Sequence, residues 1–305
     1  MKRTEQMQTK SAVACPVCDS DKKTTKYEPW SAVQDPVKLY GAASGIPGTQ
    51  TLVSCDDCGM IYESPRFPEE VILKGYMSSE ESGHDSQYPM RVDSFYRTLK
   101  SLQSRIPGPG AKVLDIGTAG GAFLDAAKRF GYDAFGLEPS RYLVDQGKKR
   151  GLQLEQGTID SHPFSPASFD MVCLWDVIEH LVDPRRALEA IRPLLKPDGI
   201  LLINYPDIGT WQAKLAGKRF WWILSVHLHH FSRASIREIS RRTGFEVFHL
   251  QRYWQSLSFG YLQDIAVHLT VPGANLFKKL TPGFLQRLPL KYYASQTTAL
   301  ARAAK

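Results

Sequence analysis

Val113-Leu114-Asp115-Ile116-Gly117-Thr118-Ala119-Gly120-Gly121 is an apolar run that breaks into small residues just before a helical pattern over residues 121–130. Small residues let the backbone pass close beneath a ligand, so this strand-to-helix turn reads as a nucleotide cradle. The turn alone is weak evidence, because many such turns need glycine only for their geometry. Glu138 strengthens it. It ends the next apolar run about 20 residues on, where a carboxylate can accept both hydroxyls of a ribose.

Outward from this turn, short apolar runs alternate with helical stretches. Residues 112–117, 133–137, 169–175, 199–205 and 245–250 read as strands, and 121–130, 141–150, 184–195 and 232–243 as helices. This alternation predicts an α/β fold around a parallel, doubly wound sheet. Residues 297–302 are expected to close that sheet as an edge strand. Upstream, Val92, Phe95, Tyr96, Leu99 and Leu102 recur at helical spacing, behind a Pro-rich exit and a polar stretch over 78–86. Pro107-Gly108-Pro109-Gly110 marks a boundary. The predicted organisation is a small module over 1–75, a helical linker over 76–110 and a main domain over 111–305, with substrate-facing insertions at about 206–231 and 256–290.

The 305 residues are 43% hydrophobic, enough for one α/β core and a small accessory unit. Lys and Arg number 38 against 31 Asp and Glu, a net +7 that favours anionic partners. The basic runs Lys148-Lys149-Arg150 and Arg241-Arg242 sit at expected helix ends, where the dipole favours cations. The start of the chain is polar, and no apolar stretch approaches the length of a membrane span, so a soluble cytoplasmic protein is expected.

The detail of the turn selects the cofactor. A dinucleotide site needs Gly-x-Gly-x-x-Gly to set a helix N-terminus against a pyrophosphate, and this turn lacks that triplet. Asp115 would repel a phosphate but suits a cationic amino group. The ligand with an adenosine, an ammonium and no phosphate is S-adenosylmethionine.

From about Lys112 to Ala303 the chain resembles the class I S-adenosylmethionine-dependent methyltransferases. Besides the turn, Phe169-Asp170-Met171-Val172 resembles the fourth strand of that family, and Trp175-Asp176-Val177-Ile178-Glu179-His180 resembles the segment after it. Leu194-Leu195-Lys196-Pro197-Asp198-Gly199-Ile200-Leu201 resembles the approach to the fifth strand. The resemblance implies a Rossmann-like, mostly parallel sheet whose last strand is antiparallel. By the same resemblance Asp115, Gly117 and Gly121, with Thr118 and Ala119 between them, would line the methionine end of the cofactor. Glu138 would hold the ribose, Thr158 and Ile159 the adenine edge, and Trp175 the mouth of the pocket. Ala119 replaces a glycine often found there and is expected to fit with a negative φ. Gln156-Gly157-Thr158 lacks the usual acid after the third strand, for which Asp160 is the candidate substitute.

Cys15-Pro16-Val17-Cys18 and Cys55-Asp56-Asp57-Cys58 each offer two thiolates on a tight turn, and two such turns complete a tetrahedral zinc shell. Four sulfur ligands leave no open position, so the metal would be structural. The stretch from Cys55 to Tyr76 also resembles the zinc-ribbon leader of bacterial methyltransferases of glycan and natural-product pathways. Cys173, within an apolar run, reads as inert core.

Methyl transfer from a sulfonium is an in-line displacement, and for a hydroxyl acceptor a base must remove the proton. His180 follows the fourth strand, while His227, His229 and His230 cluster in Val226-His227-Leu228-His229-His230-Phe231. His180, His227 and His230 are the candidate bases. Clustered histidines could also bind a metal, although no carboxylate spacing matches them. Phe220-Trp221-Trp222 reads as a lid over the pocket. Residues 271–290 interleave apolar residues with Lys278, Lys279 and Arg287, a surface suited to touch a membrane carrying a lipid-linked acceptor.

The sequence thus points to methyl transfer onto a hydroxyl of a sugar, glycan intermediate or small metabolite. A nucleic-acid methyltransferase would suit the positive charge and the zinc module, but lacks a basic-aromatic stripe here. A catalytically silent interaction protein is the reading from another class, and the intact Asp115, Gly117 and Glu138 argue against loss of cofactor binding.

Overall fold

A computed structural model describes residues 9–32, 35–41, 45–77, 87–268 and 271–304. The polar stretch 78–86 at the start of the expected linker lies outside the described residues. Near the N-terminus the chain folds back around its cysteines. Strand β1 (Lys23–Tyr27) pairs antiparallel with β2 (Leu52–Cys55), setting Lys23 opposite Cys55, and β2 pairs with β3 (Ile61–Glu63). Gly59, at φ 72°, completes the turn between β2 and β3 in a conformation that favours glycine.

The main sheet begins with β4 (Lys112–Ile116), β5 (Asp133–Glu138) and β6 (Gln153–Gln156), and continues with β7 (Phe169–Trp175) and β8 (Leu195–Pro206). Alternate residues of its central strands serve two cores. Val172 and Leu174 of β7, with Leu201 and Ile203 of β8, face one; Met171, Cys173, Ile200 and Leu202 face the other. A strand apolar on both faces must be covered on both, which parallel connections through helices achieve. Accordingly β4 pairs in parallel with both β5 and β7, and β7 with β8.

Strand β9 (His229–His230) does not join this sheet. It pairs with β3 and makes the N-terminal sheet four-stranded, in the order β1-β2-β3-β9. The main sheet resumes with β10 (Phe245–Arg252). Then come the short β11 (Gln255–Ser258) and β12 (Pro289–Tyr292), which pair with each other, and finally β13 (Gln296–Ala303). Its seven-stranded order is β10-β13-β8-β7-β4-β5-β6. The last strand is antiparallel to both neighbours, β8 and β10.

The expectation that 297–302 forms an edge is therefore corrected. Residues Thr297 to Ala301 are completely buried, and two hydroxyls pair inside the sheet: Thr297 Oγ1 donates to Asp207 Oδ2 and Thr298 Oγ1 to Asn204 Oδ1, both at 2.8 Å. The edges are β6 and β10.

The helices begin where local chemistry dictates. Asp183 Oδ1 accepts from the Arg186 amide at 3.0 Å, with Pro184 in the first turn of helix Pro184–Ile191. Ser232 and Ser235 form a capping box at the start of helix Arg233–Arg242. The basic runs do fall at helix ends, in the last turns of Arg141–Lys149 and Arg233–Arg242. Between β11 and β12 lie helices Phe259–His268, Ala274–Leu280 and Gly283–Gln286, which expose Leu276, Phe277, Leu280 and Phe284 beside Lys279 and Arg287. Among the described residues no helix is long and apolar enough to cross a membrane.

Candidate functional site

From β4 the chain winds to β5 and β6 on one side, and from β7 to β8 on the other, so the strand order reverses between β4 and β7. Open parallel sheets have a crevice at the carboxyl ends of their strands at such a point. The glycine turn after β4 and the acidic segment after β7 both emerge there.

Gly117 and Gly121 have φ values of 69° and 82°. A Cβ on Gly117 would stand 2.8 Å from Val177 Cγ2, and one on Gly121 2.4 Å from Leu152 Cδ1, so neither position has room for a side chain. Ala119 does not take the expected negative φ. It lies at +48°, a conformation that costs a non-glycine residue roughly 1–2 kcal/mol, and its amide donates to Glu138 Oε2 at 2.9 Å. That bond helps fix the turn. The helix Ala122–Phe130 has no side-chain N-cap, so its first-turn amides are left for solvent or a ligand.

Glu138, buried at the end of β5, also accepts the Ser140 amide at 2.9 Å, which orients its carboxylate between the glycine turn and the next helix. Asp115 is equally buried, and its Oδ1 has no hydrogen-bond partner among the described residues. Burial pushes its carboxyl up to about 8; the Glu138 charge adds to the rise, while the Thr118 side chain and the Arg91 charge oppose it. An ammonium group placed there would satisfy the orphaned oxygen and reverse the shift, so the turn fits the methionine end of S-adenosylmethionine.

Trp175 is buried in an aromatic group, with Phe95, Phe123 and Tyr253 ring centroids at 4.9, 5.3 and 5.5 Å. Gly157 donates its amide to the Glu138 carbonyl at 3.1 Å, which folds the loop with Thr158 and Ile159 against the end of β5. Ile159 is buried and Thr158 exposed. Asp160 lies at the surface in an ion pair with Arg186 at 3.0 Å. Sequence reasoning missed Arg91, whose charge acts on both Asp115 and Asp176. The available signal was its spacing, four residues before Phe95, which puts a cation on the buried stripe of its helix.

Beyond β7 the chain turns at Asp176, at φ 55°, where Oδ1 accepts from Asn204 Nδ2 at 2.8 Å and Gln296 Nε2 at 2.6 Å. Glu179 follows, 1% exposed, with neither carboxylate oxygen partnered among the described residues. His180 Nδ1 faces the Val226 carbonyl at 2.9 Å, and His227 Nδ1 faces the Trp222 carbonyl at 2.8 Å. A carbonyl can only accept, so each Nδ1 carries the proton and Nε2 is the lone-pair nitrogen. The two rings stand 4.7 Å apart, and His230 lies 6.4 Å from His227 with its Nε2 buried and unpartnered among the described residues. Burial pushes His180 and His230 down to about 4 and holds His227 well below its ordinary value, so all three are neutral near pH 7. His229 is turned away, its Nε2 on the Leu181 carbonyl. The carboxylate judged missing from the histidine cluster is present: Glu179 lies next to His180 in sequence, and folding brings His227 to both.

The N-terminal residues hold this cluster in place. Gln50 Nε2 donates to the carbonyls of His227 at 2.9 Å and Ser225 at 3.1 Å; the Ile46 amide donates to Ser225 Oγ at 3.0 Å; and Arg66 Nη2 donates to Val182 O at 2.9 Å. Phe220, expected as part of a lid, instead packs with Leu52 and Ile61 under the small sheet. The indoles of Trp221 and Trp222 both donate to the Ala294 carbonyl. Further out, Cys15 and Cys58 sulfurs lie 3.5 Å apart, as do those of Cys18 and Cys55, and all four fall within 4.8 Å of one another. Tetrahedral zinc thiolates, with bonds of about 2.3 Å, space their sulfurs by about 3.8 Å, so the four can hold a metal. Cys173 is fully buried in the sheet.

The family of methyltransferase domains matches residues 88–250, just over half of the chain. The ubiquinone biosynthesis O-methyltransferase of Xylella fastidiosa (strain 9a5c) is 30% identical over 128 residues, 40% of this chain and 52% of that one. Its namesake from Xanthomonas campestris pv. campestris (strain B100) is 31% identical over 113 residues, 35% of this chain and 47% of that one. The chain thus spans about half the length of these curated relatives. Among solved structures, the complex of the Haloferax volcanii Trm112 methyltransferase activator with its methyltransferase matches with a TM-score of 0.50 at 21% identity, covering 72% of this chain and 95% of that one. A methyltransferase from Bacillus halodurans C-125 matches with a TM-score of 0.50 at 16% identity, covering 69% and 99%. At these identities the two structures bear on the fold alone.

Asp115 yields a paired expectation. Its carboxyl binds a proton more readily folded than unfolded, so its contribution to stability is full below the ordinary carboxylate value and is lost as pH rises through about 8. Asp115→Asn should therefore raise the melting temperature at about pH 9 by roughly 2–4 °C, the effect of about 1 kcal/mol in a domain of 150–250 residues. The same change should weaken S-adenosylhomocysteine binding at least tenfold. The wild-type affinity should rise between about pH 6 and 7.5; calorimetry showing a flat profile would refute the ammonium-binding role.

Proposed function

The chain belongs to the family of methyltransferase domains, and we propose that it transfers the methyl group of S-adenosylmethionine to a hydroxyl of a small acceptor, a sugar, glycan intermediate or similar metabolite. The observation that carries this reading is the unpartnered Asp115 oxygen beside the oriented Glu138 carboxylate on the glycine turn. When bound, the cofactor supplies an electrophilic methyl: a carbon–oxygen bond forms to the acceptor as the carbon–sulfur pair returns to sulfur.

The residues then have distinct tasks. Asp115 faces the ammonium and Glu138 the ribose. Gly117, Thr118, Ala119 and Gly121 form the cradle, Thr158 and Ile159 flank the adenine, and Trp175 closes the aromatic wall. The acceptor proton goes to a neutral histidine, for which the unpartnered Nε2 of His230 is best placed, with His180 and His227 beside it. Oxygen as the methylated atom also agrees with the names of the curated relatives, and the acceptor panel should include phenolic compounds for that reason. Incubation with S-adenosylmethionine and such a panel should release S-adenosylhomocysteine and yield a methyl ether by mass spectrometry. Glu138→Ala should weaken cofactor binding at least tenfold. Selective binding of NAD, or of neither nucleoside, would end this reading.

The four cysteines, in this reading, hold a structural zinc ion. Metal analysis of the purified protein should find it, and Cys58→Ser should lose it and melt at a lower temperature; a metal-free protein indifferent to chelators would contradict the assignment. The exposed Leu276, Phe277, Leu280 and Phe284, with Lys279 and Arg287 among them, form a face for an anionic lipid surface, suited to an acceptor carried on a lipid. Co-sedimentation with anionic vesicles should fall when Phe277 and Phe284 are changed to Ser, and equal recovery with neutral vesicles would exclude the charge-assisted contact.

A further inference from the structure

We propose that Glu179, His180 and His227 form a second metal site, separate from the cysteines, that takes one divalent cation such as manganese(II) or iron(II). Each residue offers a ligand atom, and the three atoms lie within 4.8 Å of one another. A cation with bonds of about 2.1 Å needs adjacent ligands about 3.0–3.4 Å apart, so the three atoms must draw together on binding, and they leave the rest of its shell open.

The state of Glu179 is the first argument. Three other buried carboxylates are compensated. Glu63 takes Lys10 Nζ at 2.8 Å and hydrogen bonds from Tyr40 and Gln50. Asp207 takes Arg233 Nε at 3.2 Å, Thr297 Oγ1 at 2.8 Å and the Gly209 amide at 2.9 Å. Glu138 takes two amides. Glu179 is as deeply buried as any of these, yet both of its oxygens lack a partner among the described residues. A buried carboxylate is retained where it is paired or coordinates a metal.

The imidazoles supply the second argument. Both Nδ1 atoms are committed to backbone carbonyls, which fixes the tautomer and turns the Nε2 lone pair into the ligand. A hydrogen bond from the non-ligating ring nitrogen to a carbonyl is the usual support of a metal-bound histidine. Two imidazoles and one carboxylate also leave coordination positions open, unlike the closed set of four thiols, and this mixed nitrogen–oxygen set suits iron(II), with manganese(II) as its harder counterpart. The loop that carries two of the ligands follows β7 at the crevice, where the Asp176 charge acts on Glu179. A cation here would stand beside the acceptor side of the pocket and ease the loss of the hydroxyl proton to His230. That use rests on the methyl-transfer reading; the site itself does not.

Metal uptake can be read without cofactor or acceptor. Protein loaded with zinc at its cysteines is titrated with manganese(II) alone, and the free ion is followed by electron paramagnetic resonance. The expected result is one manganese per chain beyond the zinc, bound at least tenfold more weakly in Glu179→Gln and in His227→Gln. The S-adenosylhomocysteine affinity should stay at its wild-type value in variants that fold. For the wild type itself, pulsed resonance should show nitrogen hyperfine coupling from bound imidazole, which keeps the test decisive if a variant does not fold. No saturable uptake, uptake unchanged in the variants, or bound manganese without nitrogen coupling would overturn the site. Cofactor binding with no manganese uptake would sink the metal site and leave methyl transfer standing, whereas manganese uptake without cofactor binding would do the reverse.

Discussion

Withdrawing carboxylates from water at the carboxyl ends of the parallel strands is the constraint that organises the rest of this molecule. A buried ionised carboxylate is tolerated only where hydrogen bonds or positive charge replace its hydration. The chain meets that demand at Glu138 with two amides and at Asp176 with two side-chain amides. Among the described residues the demand stays open at Asp115 and Glu179. Both open positions border the crevice made by the reversal of strand order. The sheet therefore carries stored cost where cationic ligands can relieve it, and ligand binding and stability become linked quantities.

The small N-terminal sheet has a part in that arrangement. Its fourth strand is His229–His230, and Gln50 binds the carbonyl of His227. The segments around His180 and His227 are thus tied to the first 66 residues through Gln50, Ile46 and Arg66. A metal among the cysteines would stiffen that support at a distance from the chemistry.

Much of this was legible in the residues. The central strands announce themselves because both of their faces are apolar, and the glycine turn and Glu138 stand at the spacing a nucleotide fold requires. What stayed hidden has physical reasons. Strand β6 buries little besides Leu154, so no apolar run marks it. Strand β13 reads as an edge because it is rich in Thr and Ala, yet its hydroxyls are paired internally and small side chains suit a crowded centre. Ala119 adopts a positive φ because a long-range partner, Glu138, rewards it. The grouping of Glu179 with His227 depends on a chain reversal through the insertion, which no local pattern encodes.

The pairing of β3 with β9 also bears on the order in which the molecule can be assembled. Synthesis at about 5–20 residues per second delivers His230 roughly 10–30 s after Cys58, since about 170 residues lie between them. Through that interval the cysteine turns and the β1–β2–β3 meander are exposed to the cell without their closing strand. Ions reaching the nascent chain would meet four thiols before the histidines exist. A metal taken by the cysteines would therefore be bound before Glu179, His180 and His227 can come together. The four thiols and the imidazole–carboxylate group are in this way separated in time of synthesis as well as in chemical softness.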